Sequence, residues 1–286
     1  MPMPLEDCTV HIIGLGLMGG SLAMALRGKV RRLTAEDHLP QVIERALTGG
    51  VIDAPGTTQA ADLVILATPA DQIVTAIPTL DVSPGSLVID LGSTKTRICD
   101  QLDRLPDSVL AVGGHPMCGL AENGFANAVA TLYQRARFVL CETARTTPDA
   151  QTLAEALALA VGARPIWLDR TRHDYLTALI SHLPHLLNFA LMRLAMDAGR
   201  DDGALFELAA GGFDGATRLA RTDETMITGM FSTNADQLRQ VAARLREHLD
   251  HLDALLEDIP ALRQELGEIV AARRAYTAGY GERLIT

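Results

Sequence analysis

The chain has 286 residues, room for one large domain or two ordinary ones. Its net charge of -10 at pH 7 argues against a nucleic-acid or anionic-membrane binder, since either would want a basic face. No apolar run approaches the roughly 18 residues of a membrane span, and the four scattered cysteines (Cys8, Cys99, Cys118, Cys141) match no zinc or CxxC spacing, so they read as reduced thiols.

Taken in chain order, the first 169 residues alternate short β-rich runs with helical patterns. "TVHIIGLG" reads as a buried strand and residues 19–28 as a helix; "VRRLTAED" is a second strand, followed by a helix over 40–49. "ADLVILATP", "GSLVIDLGS" and "SVLAVGGHP" are further strands, and "RFVLCE" and "RPIWLD" flank a helix near 149–161. Such alternation builds a doubly wound, mainly parallel sheet with helices on both faces. From Asp169 the strand signals stop. Helical patterns follow over 170–198, 201–210, 213–221, 223–231 and 234–256, with another after Ile259. The expected organisation is a Rossmann-type domain over 1–169 and an all-helical domain over 170–286. The opening stretch is apolar like a signal peptide. However, Glu6 and Asp7 precede it where positive charge belongs, so the expected location is cytoplasmic.

"GLGLMGG" places Gly14, Gly16 and Gly19 as GxGxxG between a strand and a helix, the context in which this fingerprint binds a dinucleotide. Gly14 permits the tight turn, Gly16 the approach of the pyrophosphate, and Gly19 close packing of helix on strand. Leu15, Leu17 and Met18 complete the loop, whose helix N-terminus offers N–H groups to phosphate. Asp37, twenty-three residues after Gly14, is placed to bond the ribose hydroxyls. Its neighbour is His38 rather than an arginine, which favours NAD over NADP; the alternative is a solvated turn residue. Thr68 and Pro69, in "ATP", end the third long strand at the same cleft.

Ser93 in "DLGSTK" and His115 in "GGHP" both fall just past expected strand ends, on the edge where open α/β sheets bind ligands. A serine within reach of the imidazole would fix its tautomer for general-base work. Separately, Ser93 can be a helix N-cap for 94–103 and His115 a turn residue. In "HDYLTALISHLPHLLNFAL", Ser181 and His185 are four apart and share one helix face, with a kink expected at Pro184. His182 and His185 have the spacing of a metal pair, but no carboxylate-rich set stands beside them; no metal is expected, and His182 reads as structural. Arg218 in "GGFDGATRLAR" is a candidate carboxylate clamp, or else a surface ion-pair residue.

Taken together, "GLGLMGG", "LATP", "GSTK", "GGHPMCG", "SHLPH" and "GGFDGATRLA" resemble the prephenate/arogenate dehydrogenase family of tyrosine biosynthesis, in the family's order from residue 10 to about 230. The resemblance implies NAD-linked oxidative decarboxylation of a cyclohexadienol. It implies that His115 deprotonates the ring hydroxyl with Ser93 in support. Ser181, His185 and Gly211 would lie against the substrate, and Arg218 would hold its carboxylate. It also implies a homodimer formed through the helical domain. Prephenate is the expected substrate and arogenate the alternative. Leu120, Asp214 and Ile227 depart from the family pattern, Asp214 removing positive charge near a dicarboxylate. At this length no appended chorismate mutase or ACT domain is expected. A β-hydroxyacid dehydrogenase would use a lysine of the helical domain, yet no lysine follows Asp169. A catalytically silent NAD sensor would not need Ser93, His115, His185 and Arg218 together. The glycines around His115 are expected to let the backbone approach cofactor and substrate.

Overall fold

Continuous apolar runs make strands buried on both faces, which a sheet covered by helices requires. The strands are β1 (Thr9–Ile13), β2 (Arg32–Glu36), β3 (Ala54–Pro55), β4 (Leu63–Leu66), β5 (Leu87–Asp90), β6 (Leu110–Pro116), β7 (Arg137–Glu142) and β8 (Arg164–Trp167). The central β4 and β5 are such runs, whereas β2 is exposed at both ends and the edge strands β3 and β8 are partly exposed. In this computed structural model, which describes residues 3–120 and 122–281, all the strands form one sheet in the order β3-β2-β1-β4-β5-β6-β7-β8. Every neighbouring pair is parallel except β6 with β7. The strand order reverses between β1 and β4, and the crevice beyond their C-terminal ends is where such sheets bind ligands.

Helices α1 (Leu17–Leu26), α2 (Pro40–Thr48), α3 (Ala70–Ala76), α4 (Thr96–Leu102) and α5 (Pro148–Ala160) cover the two faces. The period-2 alternation of strands divides the core accordingly. Leu63 and Ile65 of β4 join Leu22, Leu26 and Leu157 in one cluster. Val64 and Leu66 join Ile73, Ile98 and Leu102 in the other.

Beyond β8 the described chain is helical: α6 (Arg170–Thr177), α7 (Leu183–Ala198), α8 (Ala204–Glu207), α9 (Gly211–Thr217), α10 (Glu224–Thr233), α11 (Ala235–Ala254) and α12 (Ile259–Tyr280). Just ahead of Pro184, where a kink is expected, a π turn over Ala178–His182 joins α6 to α7. Pro184 then lies in the first turn of α7, where its missing N–H costs little. The helix expected over 201–210 shrinks to Ala204–Glu207, after the polar Asp201, Asp202 and Gly203. The one expected over 213–221 becomes α9 and a 3-10 turn at Arg218–Arg221, so Arg218 stands on the turn.

Helix α10 seats the helical region on the sheet domain. A Cβ on Gly229 would lie 2.4 Å from Asp71 Oδ1 of α3, so any larger residue would have to displace the Asp71 carboxylate. The helical region's own core is small, with Ala178, Leu183, Leu238, Val241 and Ala242 at its centre. Helix α12 buries none of its 22 residues and leaves Leu266, Ile269, Val270 and Tyr276 exposed.

Candidate active site

The glycine loop leaves β1 through Gly14, whose φ of +91° is left-handed backbone that glycine adopts without strain. A Cβ on Gly19 would sit 1.9 Å from the Gly14 carbonyl oxygen, whereas one on Gly16 would meet nothing within 4 Å. Gly19 therefore holds helix against loop, and Gly16 fronts open space. The first α1 bond runs from the Gly20 amide to the Gly16 carbonyl, so the amides of Leu17, Met18 and Gly19 precede the ladder and point out of the helix end. An open face, spare donors and a helix N-terminus fit a pyrophosphate.

The carboxylate of Asp37 is 7% exposed. It accepts from the Leu15 amide at 2.8 Å and the Leu39 amide at 2.9 Å, so it ties the loop to the end of β2 and is not a solvated turn residue. Leu15 itself is core. Met18 is held from behind by the Tyr133 hydroxyl, which donates to its carbonyl at 2.7 Å. Thr68 lies against Gly14: its Cγ2 would be 2.9 Å from a Cβ there, and Pro69 leads into α3.

Between β5 and β6 lies a buried ion pair. Lys95 and Asp90 are fully buried, and Lys95 Nζ donates to Asp90 Oδ2 and to the Gly114 carbonyl. The Gly114 amide returns a bond to Asp90 Oδ1 at 2.9 Å. Added Cβ atoms at Gly113 and Gly114 would lie 2.5 Å from Cys99 Sγ and 2.4 Å from the Asp90 carbonyl oxygen. These two glycines therefore admit neighbouring protein, and the expectation that they open the backbone to ligand is corrected.

His115 is carried on this clamp. It lies inside β6, opposite Val139 of the antiparallel β7, and not past the strand end as expected. Its partner is also unexpected. Nδ1 of His115 meets Nε2 of His173 at 2.8 Å, and Nδ1 of His173 meets Asp174 Oδ1 at 2.8 Å. Among the described residues Ser93 makes no hydrogen bond to His115. Nor does Ser93 cap α4: Lys95 holds the cap position, and Asp174 accepts from the Lys95 and Thr96 amides at 2.6 and 2.7 Å. Ser93 remains a half-buried residue at the same edge.

Burial, then the neighbouring His173, Lys95 and His182, hold the His115 imidazole well below the ordinary histidine range, so it is neutral. Burial pushes the Asp174 carboxyl up, but bonds from His173 and Thr96 outweigh this and leave it below the ordinary range. His182 is buried, bonds Asn234 through Nδ1 at 3.2 Å and has no partner for Nε2 among the described residues; burial lowers it to about 4.

His185 Nδ1 donates to the Ser181 carbonyl at 2.9 Å, so Ser181 meets His185 through its backbone. Burial and the Arg218 charge both lower the His185 pKa, against the pull of that carbonyl, which places Arg218 within electrostatic reach. No carboxylate of the described residues pairs with Arg218, so the surface ion pair is not formed. Asn188 Oδ1 anchors its turn by accepting from the Leu219 amide at 2.8 Å. Gly211 and Asp214 are exposed in the first turn of α9.

Lys95, His173, Asp174 and Asn188 were assigned no separate role from sequence. The adjacent His-Asp just ahead of "SHLPH" was the available signal for two of them.

A glycine-rich loop at the switch point, an imidazole at the sheet edge and, on the turn after α9, an arginine that pairs with no carboxylate among the described residues fit a two-domain, nucleotide-dependent dehydrogenase. Residues 22–167 match the family described as prephenate dehydrogenase, nucleotide-binding domain, and 169–270 match its dimerization domain. The chain belongs to the prephenate dehydrogenase family. It is 32% identical over 253 residues to the prephenate dehydrogenase of Lactococcus lactis, covering 85% of this chain and 70% of that protein. The fold is similar to that of A. aeolicus prephenate dehydrogenase in complex with hydroxyphenyl propionate and NAD+ (TM-score 0.87, 29% identity, 94% of this chain and 98% of that one). It is also similar to Synechocystis arogenate dehydrogenase (TM-score 0.78, 29% identity, 94% and 99%). Among the described residues no helix is long and apolar enough to cross a membrane.

Proposed function

We propose that the protein converts prephenate to 4-hydroxyphenylpyruvate and carbon dioxide with NAD as oxidant. The observation that carries this reading is the His115 imidazole at the ligand edge of a dinucleotide-binding sheet, bonded through Nδ1 to the His173–Asp174 pair. NAD, when bound, accepts the hydride from the ring carbinol carbon. The amides of Leu17, Met18 and Gly19 would hold its pyrophosphate, and Asp37, already anchoring the loop, would serve its ribose. His115 takes the carbinol hydroxyl proton. The bond to the ring carboxylate breaks, carbon dioxide leaves, and the electron pair completes the aromatic ring. The proton returns to the phenolate oxygen, so the base is regenerated. Ser93 borders the hydroxyl, His185 and Ser181 line the ring, and Arg218 binds the side-chain carboxylate through its planar fork.

The exposed Asp214, four residues before Arg218, favours a second reading, because its carboxylate would attract the ammonium of arogenate. The unburied α12, whose first part, up to residue 270, lies in the region matched by a dimerization domain, supports a homodimer.

His115→Asn should retain NAD binding and lose about 10²–10⁴-fold in turnover, the usual range for a general base. Prephenate and arogenate are assayed side by side by NADH absorbance. Near-wild-type turnover in the folded variant refutes the base assignment, and a wild type that turns over only arogenate reverses the substrate.

A further inference from the structure

We propose that His173 and Asp174 act as a positioning relay that fixes His115 in its Nδ1–H tautomer, leaving Nε2 as the proton acceptor. This rests on the reading of His115 as the base. The chain of bonds starts at Asp174. Its Oδ1 accepts from the Lys95 amide at 2.6 Å and its Oδ2 from the Thr96 amide at 2.7 Å. An ionised carboxylate only accepts, so the 2.8 Å contact with His173 Nδ1 is a bond donated by His173. A neutral imidazole has one N–H, so His173 Nε2 carries a lone pair. The 2.8 Å contact between His173 Nε2 and His115 Nδ1 then requires the proton on His115. The rings meet edge-on, at 75° between planes and 5.1 Å between centroids, which suits a bond between ring nitrogens and not a stack.

His173 and Asp174 are each only 1% exposed, so water cannot supply the alternative tautomer. When His115 takes up a proton, the same chain places a neutral acceptor backed by a carboxylate against the new charge. The relay also spans the molecule. His115 belongs to β6 of the sheet, His173 and Asp174 to α6, and Asp174 is bound to the first turn of α4. The base is thus correctly protonated only while α6 is seated on the sheet.

Asp174→Asn tests the direction of the chain. In the orientation that keeps the Thr96 bond, its amide oxygen stands at the place of Oδ2 and its NH2 group at that of Oδ1, where it gives up the Lys95 amide and donates to His173 Nδ1. That moves the His173 proton to Nε2, which donates to His115 Nδ1 and forces the His115 proton onto Nε2. Turnover should fall about 10²–10⁴-fold, the size seen when a base is held in the wrong tautomer, with NAD affinity unchanged. Nitrogen-15 NMR of histidine-labelled protein, with the His115 signals identified by their loss in His115→Asn, should show the protonated nitrogen changing from Nδ1 to Nε2. A second pair of variants separates tautomer control from packing. His173→Gln can accept from His115 and donate to Asp174, and should stay within about tenfold of wild type, whereas His173→Leu should lose about 10²-fold or more. Wild-type turnover in an Asp174→Asn protein whose His115 proton has moved to Nε2, an Nε2–H tautomer in the wild type, or equal losses in the Gln and Leu variants each overturn the relay. A fully active His115→Asn instead overturns the base assignment beneath it.

Discussion

Replacing Lys95 with methionine isolates the worth of one buried charge. Methionine is close to lysine in length and volume, so no large cavity opens and the loss is electrostatic. Asp90 would keep the Gly92 and Gly114 amides, at 2.8 and 2.9 Å, but no countercharge. Breaking a buried pair from one side costs about 3–5 kcal/mol. Burial already raises the Asp90 carboxyl above the ordinary carboxylate range, against the attraction of Lys95, and the substitution removes that attraction. A carboxyl whose folded-state pKa exceeds its unfolded one binds more protons when folded, so the stability it contributes is present at low pH and lost as pH rises through that window. Urea unfolding followed by circular dichroism should therefore show Lys95→Met destabilised by about 3–5 kcal/mol near neutral pH, and by less toward pH 5. Adding Asp90→Asn removes the stranded charge and should recover more than half of the loss. A deficit under about 1 kcal/mol, a deficit that grows on acidification, or no recovery in the double variant would refute the reasoning.

Gly16→Ala should keep the wild-type melting temperature yet weaken NAD binding about tenfold or more in calorimetric titration, since its Cβ enters open space reserved for phosphate. Gly19→Ala should lose both, because its Cβ would lie 1.9 Å from the Gly14 oxygen. Burial depresses His115, and a base must be neutral to act, so kcat/KM should fall on acidification only below the ordinary histidine range; a limb at or above that range contradicts the assignment. If α12 is covered by a second chain, the melting temperature should drop on serial dilution, and a value independent of concentration argues for a stable monomer.

Seven of the eight strands were legible as short strand-like runs with the glycine fingerprint between β1 and α1, whereas the two-residue β3 at the sheet edge was not expected. Local pattern was enough there. It failed where meaning depends on distant residues. Gly113 and Gly114 look like a ligand-facing turn until Asp90 and Cys99 are seen beside them. Ser93 looks like a cap and a partner for His115, but Asp174 takes the α4 amides and His173 takes the imidazole, from 58 residues away. The reversal of β7 leaves no mark in "RFVLCE", since a buried strand reads the same in either direction. At Pro184 the missing N–H was legible, but the π turn that absorbs it was not. Arg218 was recognisable as a cation, while its turn, held by Asn188, arises from contact between α7 and the segment after α9.

The burial of Lys95 has a practical corollary for handling the molecule. The chain has two lysines, and the other, Lys29, is exposed just beyond α1, donating to the Ala160 carbonyl at the end of α5. Lys29 lies between the end of α1 and Arg32, which pairs with Thr9 at the start of β1, so it sits at the opposite rim of the sheet from Gly16, Thr68 and His115. Side-chain amine coupling to a resin or sensor surface therefore has one address, and it tethers the molecule with its cleft turned outward.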